Sequence, residues 1–125
     1  MTQNQLFTRL NELCKQMNYS YDINSGGCCF VAACIAENLE RHKIPFKIIH
    51  YDLWGCHYAI KVSDRYLNRD NYVKKEISDI LDKDSEWLYE LYYNKDWNDC
   101  YNKRWNLIVS TRIRALFYKY ENSRT

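Results

Sequence analysis

Residues 57–68 read His57-Tyr58-Ala59-Ile60-Lys61-Val62-Ser63-Asp64-Arg65-Tyr66-Leu67-Asn68. Two runs rich in β-branched and aromatic residues flank a short polar pair, the pattern of an antiparallel hairpin. Ser-Asp is not a strong two-residue turn. With a two-residue loop at Ser63-Asp64, Val62 pairs with Arg65, and His57 then stands opposite Asp70 and diagonal to Asn68. Side chains alternate along a strand, so residues 57, 59, 68 and 70 share one face. Tyr58, Ile60 and Val62 point to the other. The small Ala59 leaves room for a helix to pack on the His57 face. A loop one residue longer would break this agreement.

Upstream, Ser25-Gly26-Gly27-Cys28-Cys29-Phe30-Val31-Ala32 opens a helix expected over residues 28–43. Its first half is apolar almost all round, as in a buried helix. Arg41, His42 and Lys43 end it where cations suit the helix dipole, and Pro45 blocks continuation. Leu6, Leu10, Leu13 and Met17 give an amphipathic helix over 2–18. Residues 19–27 read as a loop, with Asp, Asn, Ser and Gly-Gly as its turn formers. A strand is expected over 46–51, and the returning arm of the hairpin over 65–72. Beyond it, Ile77, Ile80 and Leu81 predict a short helix over 74–82. Asp84 or Ser85 can cap another that buries Trp87, Leu88, Leu91 and Tyr92. A last helix over 96–120 carries Trp105, Val109, Ile113, Leu116 and Tyr120 on one face, and the final residues should fray. The fold class is therefore α+β: a small antiparallel sheet packed on a Cys-bearing helix, wrapped by N- and C-terminal helices.

The 125 residues make one domain, 46% hydrophobic, too apolar for a disordered tail. With 3 Gly and 1 Pro among them, a turn-rich β-sandwich is disfavoured. No apolar run approaches the roughly 18 residues of a membrane span. The N-terminus lacks the cationic and apolar blocks of a secretory signal. The six cysteines (Cys14, Cys28, Cys29, Cys34, Cys56 and Cys100) are thus read as reduced thiols of a cytoplasmic protein. They contain no C-x-x-C pair, and no metal site is expected. Net charge is +2, but it is unevenly spread. Residues 70–100 hold nine acids and four bases, and residues 101–125 six bases and one acid. That contrast reads as a basic helix against an acidic neighbour or as two solvated faces, in preference to a basic surface for nucleic acid or an anionic partner.

Cys28 gains its interest from position. A helix N-terminus offers unpaired N–H groups and partial positive charge, both of which favour a thiolate. Glycine before it lets a substrate backbone come close. The same N–H groups can receive an oxyanion. His57 supplies an imidazole on the hairpin, and Asn68 or Asp70 a group to orient it. The bland readings are that cysteines are small core residues, as Cys14 and Cys34 are expected to be, and that a strand histidine is a satisfied polar group. His42 and His50 are read as structural or exposed. Trp87, Trp97 and Trp105 are read as core.

Gly-Gly-Cys opening a helix, then His-Tyr-Ala-Ile-Lys-Val and Tyr-Leu-Asn on two strands, resembles the papain-like cysteine peptidase superfamily, with its transglutaminase-like, NlpC/P60-like and small phage and bacterial members. The resemblance covers about residues 20–72 and leaves the helical part, 74–120, unaccounted for. It implies a Cys-bearing helix on an antiparallel sheet, with Cys28 as nucleophile, His57 as general base and Asn68 orienting it. The doubled cysteine keeps Cys29 open, since an aromatic usually follows the nucleophile. Asp70 stays open beside Asn68. Asn24 is the nearest amide for an oxyanion, Gly27 lies in the same loop, and Trp54 borders the expected cleft. The spacing from Cys28 to His57 is short for a full peptidase, and large substrate-binding insertions are absent.

The implied chemistry is acyl transfer from an amide of a peptide or protein, with no cofactor: a small cysteine peptidase or amidase, phage-encoded or bacterial. The pattern leaves open protease, deamidase, transglutaminase or peptidoglycan hydrolase, and the oligomeric state. The alternative is a non-catalytic accessory protein on the same fold, binding through Arg112, Arg114 and Lys119 of a basic C-terminal helix.

Overall fold

A computed structural model describes residues 1–21, 28–52, 56–70, 72–73, 75–79 and 103–123. Its elements are α1 (Gln3–Tyr21), α2 (Cys28–Arg41), β1 (Lys47–Asp52), β2 (Cys56–Val62), β3 (Arg65–Leu67), β4 (Glu76–Asp79) and α3 (Lys103–Asn122). The strands form one antiparallel sheet in the order β3-β2-β1-β4. The class is α+β, as the sequence predicts. The helix expected from Asp84 or Ser85 lies outside the described residues.

Local chemistry sets the ends of the first two helices. Thr2 and Gln5 cap α1 reciprocally: Gln5 N donates to Thr2 Oγ1 (3.1 Å), and Thr2 N to Gln5 Oε1 (2.8 Å). Helix α2 stops at Arg41, short of Lys43. Lys43 takes a left-handed φ of 56°, Lys43 N donates to Glu40 O and Ile44 N to Leu39 O. This is a Schellman stop with lysine where glycine is usual, and buried Ile44 and Leu39 supply its apolar contact.

One face of the sheet carries the main core. Ile48, Ile60, Val62 and Leu67 pack with Leu6, Leu10 and Met17 of α1, the first half of α2, and Val109, Ile113 and Phe117 of α3. Each fully buried side chain of this kind contributes about 1.5–3 kcal/mol. Phe117 lies on the stripe expected to include Leu116, which sits at its rim. Cys14 and Cys34 are buried here, and burial pushes the Cys14 thiol up to about 12 and Cys34 further. Arg65 ties β3 to α1 by donating to Asn4 O and Thr8 Oγ1.

The opposite face holds a smaller cluster of Ile49, Tyr51, Ala59 and Val73, with Tyr66 beside it. Ala59 was expected to admit a helix on this face. Among the described residues Val73 and Tyr66 cover it instead, and α2 packs on the other face, where Ile60 and Val62 supply the apolar surface.

The hairpin register is as expected: Val62 pairs with Arg65 and Ile60 with Leu67. Ser63 takes a φ of 55° and Asp64 is not left-handed, the pattern of a type II′ turn. Strand β3, however, ends at Leu67 rather than near 72. Asn68 turns its carboxamide onto the backbone, donating to Tyr72 O (2.9 Å) and accepting from Tyr72 N (3.2 Å). That side-chain turn replaces the strand, so Asp70 does not pair opposite His57.

The helix expected over 74–82 is a second correction. Glu76–Asp79 is β4, added to the free edge of β1. Ile49 pairs with Asp79 and His50 with Ser78, but Tyr51 pairs with Glu76, so Ile77 is skipped as a bulge. Ile77, expected on a buried helical face, is 52% exposed. Glu76 instead accepts from Lys61 Nζ (2.9 Å) and from the Tyr66 hydroxyl across the sheet.

Candidate functional site

Helix α2 begins at Cys28, so the thiol stands at a helix N-terminus as the sequence predicts. The residue is half-buried and not in a disulfide. His57 is the second residue of β2 and pairs with Tyr51 of β1. Paired residues share a face, and the two rings meet at 5.8 Å between centroids, tilted by 41°. The Tyr51 side chain is the common neighbour of the residues the sequence singled out. Burial is the largest influence on its phenol and pushes its pKa up to about 12. The Asn68 side chain acts in the opposite direction, while Cys28 and Asp70 add to the rise. Cys28, Asn68 and Asp70 are thus all within electrostatic reach of the Tyr51 hydroxyl.

Among the described residues, neither Tyr51 Oη nor His57 Nδ1 has a hydrogen-bond partner, although both atoms are buried. The Asn68 carboxamide is near Tyr51, but both of its ends are engaged by the Tyr72 backbone, and no bond of good geometry reaches Oη. Buried polar atoms are usually satisfied, so this ring pair carries hydrogen-bonding capacity that no described residue fills.

Asn68 is 6% exposed and is fixed from three sides. Besides Tyr72, its N–H donates to Asn11 Oδ1 of α1 at 3.0 Å. Asp70 is held differently: Arg69 grips its carboxylate with Nε at 2.9 Å and Nη2 at 3.1 Å. A fork of that kind occupies both oxygens. The rival orienting group is therefore engaged by its neighbour, whereas Asn68 lies against Tyr51. Asn24, Gly27, Trp54 and the side chain of Cys29 lie outside the described residues.

Two residues were not singled out by the sequence. Tyr51 is legible only after the β1–β2 register is known. His50, read as structural or exposed, stacks on Tyr58 at 5.1 Å and 18°. Its buried Nε2 also lacks a partner among the described residues. His42 packs against the core: Nδ1 contacts Asn38 O (2.8 Å) and the ring lies on Phe117 and Tyr120, while its buried Nε2, like that of His50, has no hydrogen-bond partner among the described residues. Among the described residues no group of three His, Cys, Asp or Glu is placed to share a metal, and no helix is long and apolar enough to cross a membrane.

In comparisons with known proteins, no family model, no curated protein and no solved structure matches this chain.

Proposed function

We propose that the protein is a thiol-dependent hydrolase or acyltransferase acting on amide bonds, built on a papain-like core. The observation that supports this reading is the position of Tyr51, which touches the His57 ring, lies beside Asn68 and is within electrostatic reach of Cys28, although the body of α2 packs on the opposite face of the sheet. Three residues from separate parts of the chain thus have one neighbour in common.

In this mechanism His57 takes the Cys28 proton, and the thiolate attacks the carbonyl carbon. The carbonyl electrons move onto oxygen, where the positive end of the α2 dipole receives the negative charge. The carbon–nitrogen bond then breaks, and the imidazolium gives its proton to the leaving amine. Water or a second amine, losing its proton to His57, releases the acyl group from sulfur. Asn68 acts as a positioning residue here. It closes the turn at 68–72 and lies against Tyr51, and Tyr51 holds the imidazole.

The test is iodoacetamide labelling across pH, read at each cysteine by mass spectrometry, on the wild type and on His57→Ala. The expected result is rapid labelling of Cys28 well below pH 8, slowed by the substitution. Rapid labelling of Cys29 instead moves the nucleophile by one residue and keeps the mechanism. If Cys28 and Cys29 react no faster than an ordinary exposed thiol, and His57→Ala changes nothing, the enzyme reading fails and the non-catalytic binding reading replaces it.

A further inference from the structure

The basic C-terminal helix does not present one cationic face. Arg114 lies on the α2 side, where it acts electrostatically on Glu37 and Cys34. Arg112 and Lys119 turn the other way, toward α1. There they join Arg9 in lining a cavity of about 360 Å³ along the α1–α3 seam. A second cavity, about 600 Å³, shares Arg9 and Lys119 with the first and reaches Tyr118. A third, about 470 Å³, shares Gln16 with the first and reaches Lys15 and Tyr19. The three form one open groove. From Gln5 to Tyr19 it follows α1 for about 20 Å at the helical rise.

Its chemistry is consistent along that length. Arg9, Lys15, Arg69, Arg112 and Lys119 line it, and Glu12 is the acid among them. Arg69 is already paired with Asp70, but among the described residues no carboxylate forms an ion pair with Arg9, Lys15, Arg112 or Lys119. Arg112 is aimed across the seam by a bond from Nη2 to Gln16 Oε1 (3.0 Å). An exposed tyrosine stands toward each end: Tyr19 is 93% exposed and Tyr118 68%. Both rings are open to stacking by a flat apolar partner.

We propose that this groove binds a single-stranded polynucleotide, with the cations following the phosphates and Tyr19 and Tyr118 stacking on bases. Charge complementarity selects an anionic chain, and the two exposed rings select one with aromatic groups. A track of cations with stacking platforms is the general solution for binding single strands without sequence preference. The mean charge of the whole chain conceals the groove because the acids lie mostly in residues 70–100. The inference stands apart from the amide chemistry proposed above and uses none of its residues.

The test is fluorescence anisotropy of labelled dodecamers of deoxythymidine and of uridine, titrated with the full chain. The wild type is expected to bind at about 50 mM salt and to weaken steeply toward about 200 mM, as counterion release requires. Replacing two cations (Arg9→Gln with Lys119→Gln) should weaken binding at least tenfold and flatten the salt slope by about 1.4, at about 0.7 for each lost phosphate contact on a single strand. Tyr19→Ala or Tyr118→Ala should each cost about fivefold or more. All four side chains are exposed, and circular dichroism will show that the variants fold. Failure of both oligomers to bind overturns the proposal, as does binding indifferent to these substitutions. If labelled polyglutamate binds as tightly and the tyrosine variants bind normally, the groove takes acidic peptides and the nucleic-acid assignment is overturned.

Discussion

Asn11 and Asn68, which are 57 positions apart in sequence, meet as two buried amides. The Asn11 side chain accepts the Asn68 N–H, which on an edge strand would otherwise need water. The N-terminal helix therefore fixes the residue that ends β3 and that lies against Tyr51. Asn11→Ala should leave that N–H buried and unpaired, at a cost of about 1–3 kcal/mol. Urea unfolding measures it. A loss below about 0.5 kcal/mol would mean that water replaces the amide without penalty.

Tyr51→Phe separates stability from function. It deletes a buried hydroxyl that has no partner among the described residues and keeps the ring on His57. Removing an unsatisfied group should leave the fold as stable or raise stability by about 1 kcal/mol. If the hydroxyl serves the site, Cys28 labelling should change in rate or pH midpoint all the same. A destabilised variant with unaltered labelling would reduce Tyr51 to a packing residue.

Lys43 and Ser63 carry the two left-handed backbones found among the described non-glycine residues. A left-handed φ costs an ordinary L-residue about 1–2 kcal/mol. Glycine relieves that strain but adds freedom to the unfolded chain. Lys43→Gly and Ser63→Gly should therefore each raise stability by about 0.5–1 kcal/mol, read as a higher urea midpoint at unchanged slope. A lower midpoint would show that the lysine or serine side chain contributes more than its backbone costs.

The buried thiols and phenol set the alkaline limit. Cys14 titrates at about 12 in the fold against an ordinary 9.0, and Tyr51 at about 12 against 10.0. Above pH 9 the unfolded chain loses these protons first, so stability falls as pH rises. The loss should run through the window from about 9 to 12, with full stability below it. Cys14→Ala should flatten the first part of that limb. Iodoacetamide should leave Cys14 and Cys34 untouched in the folded protein and label them when urea unfolds it.

What was legible in the sequence follows the range of each interaction. The hairpin register could be read because a two-residue loop joins Val62 to Arg65, leaving one local choice. The start of α2 could be read because two glycines precede a long apolar run. Strand β4 could not. Ile77, Ile80 and Leu81 have helical spacing, and what overrides it is the open edge of β1, some 25 positions upstream. The end of β3 could not be read either, because an Asn that closes a turn with its side chain looks the same in sequence as one that continues a strand. At the candidate site, the start of α2 at Cys28 and the strand position of His57 could be read from residue type and order. Tyr51 could not, because an aromatic on a strand reads as core until its cross-strand partner is known.

The seam between α1 and α3 also orders events in time. Arg112 meets Gln16 across 96 positions of chain. Leu6, Leu10 and Met17 share their core with Val109, Ile113 and Phe117. During synthesis α1 precedes α3 and must wait, with part of its apolar face uncovered, until Lys103–Asn122 has followed. Loop closure over that distance makes the docking of α3 a late and cooperative step. Nascent chains released before Lys103 should therefore stay open to protease and to chaperones, however well the hairpin within them has formed.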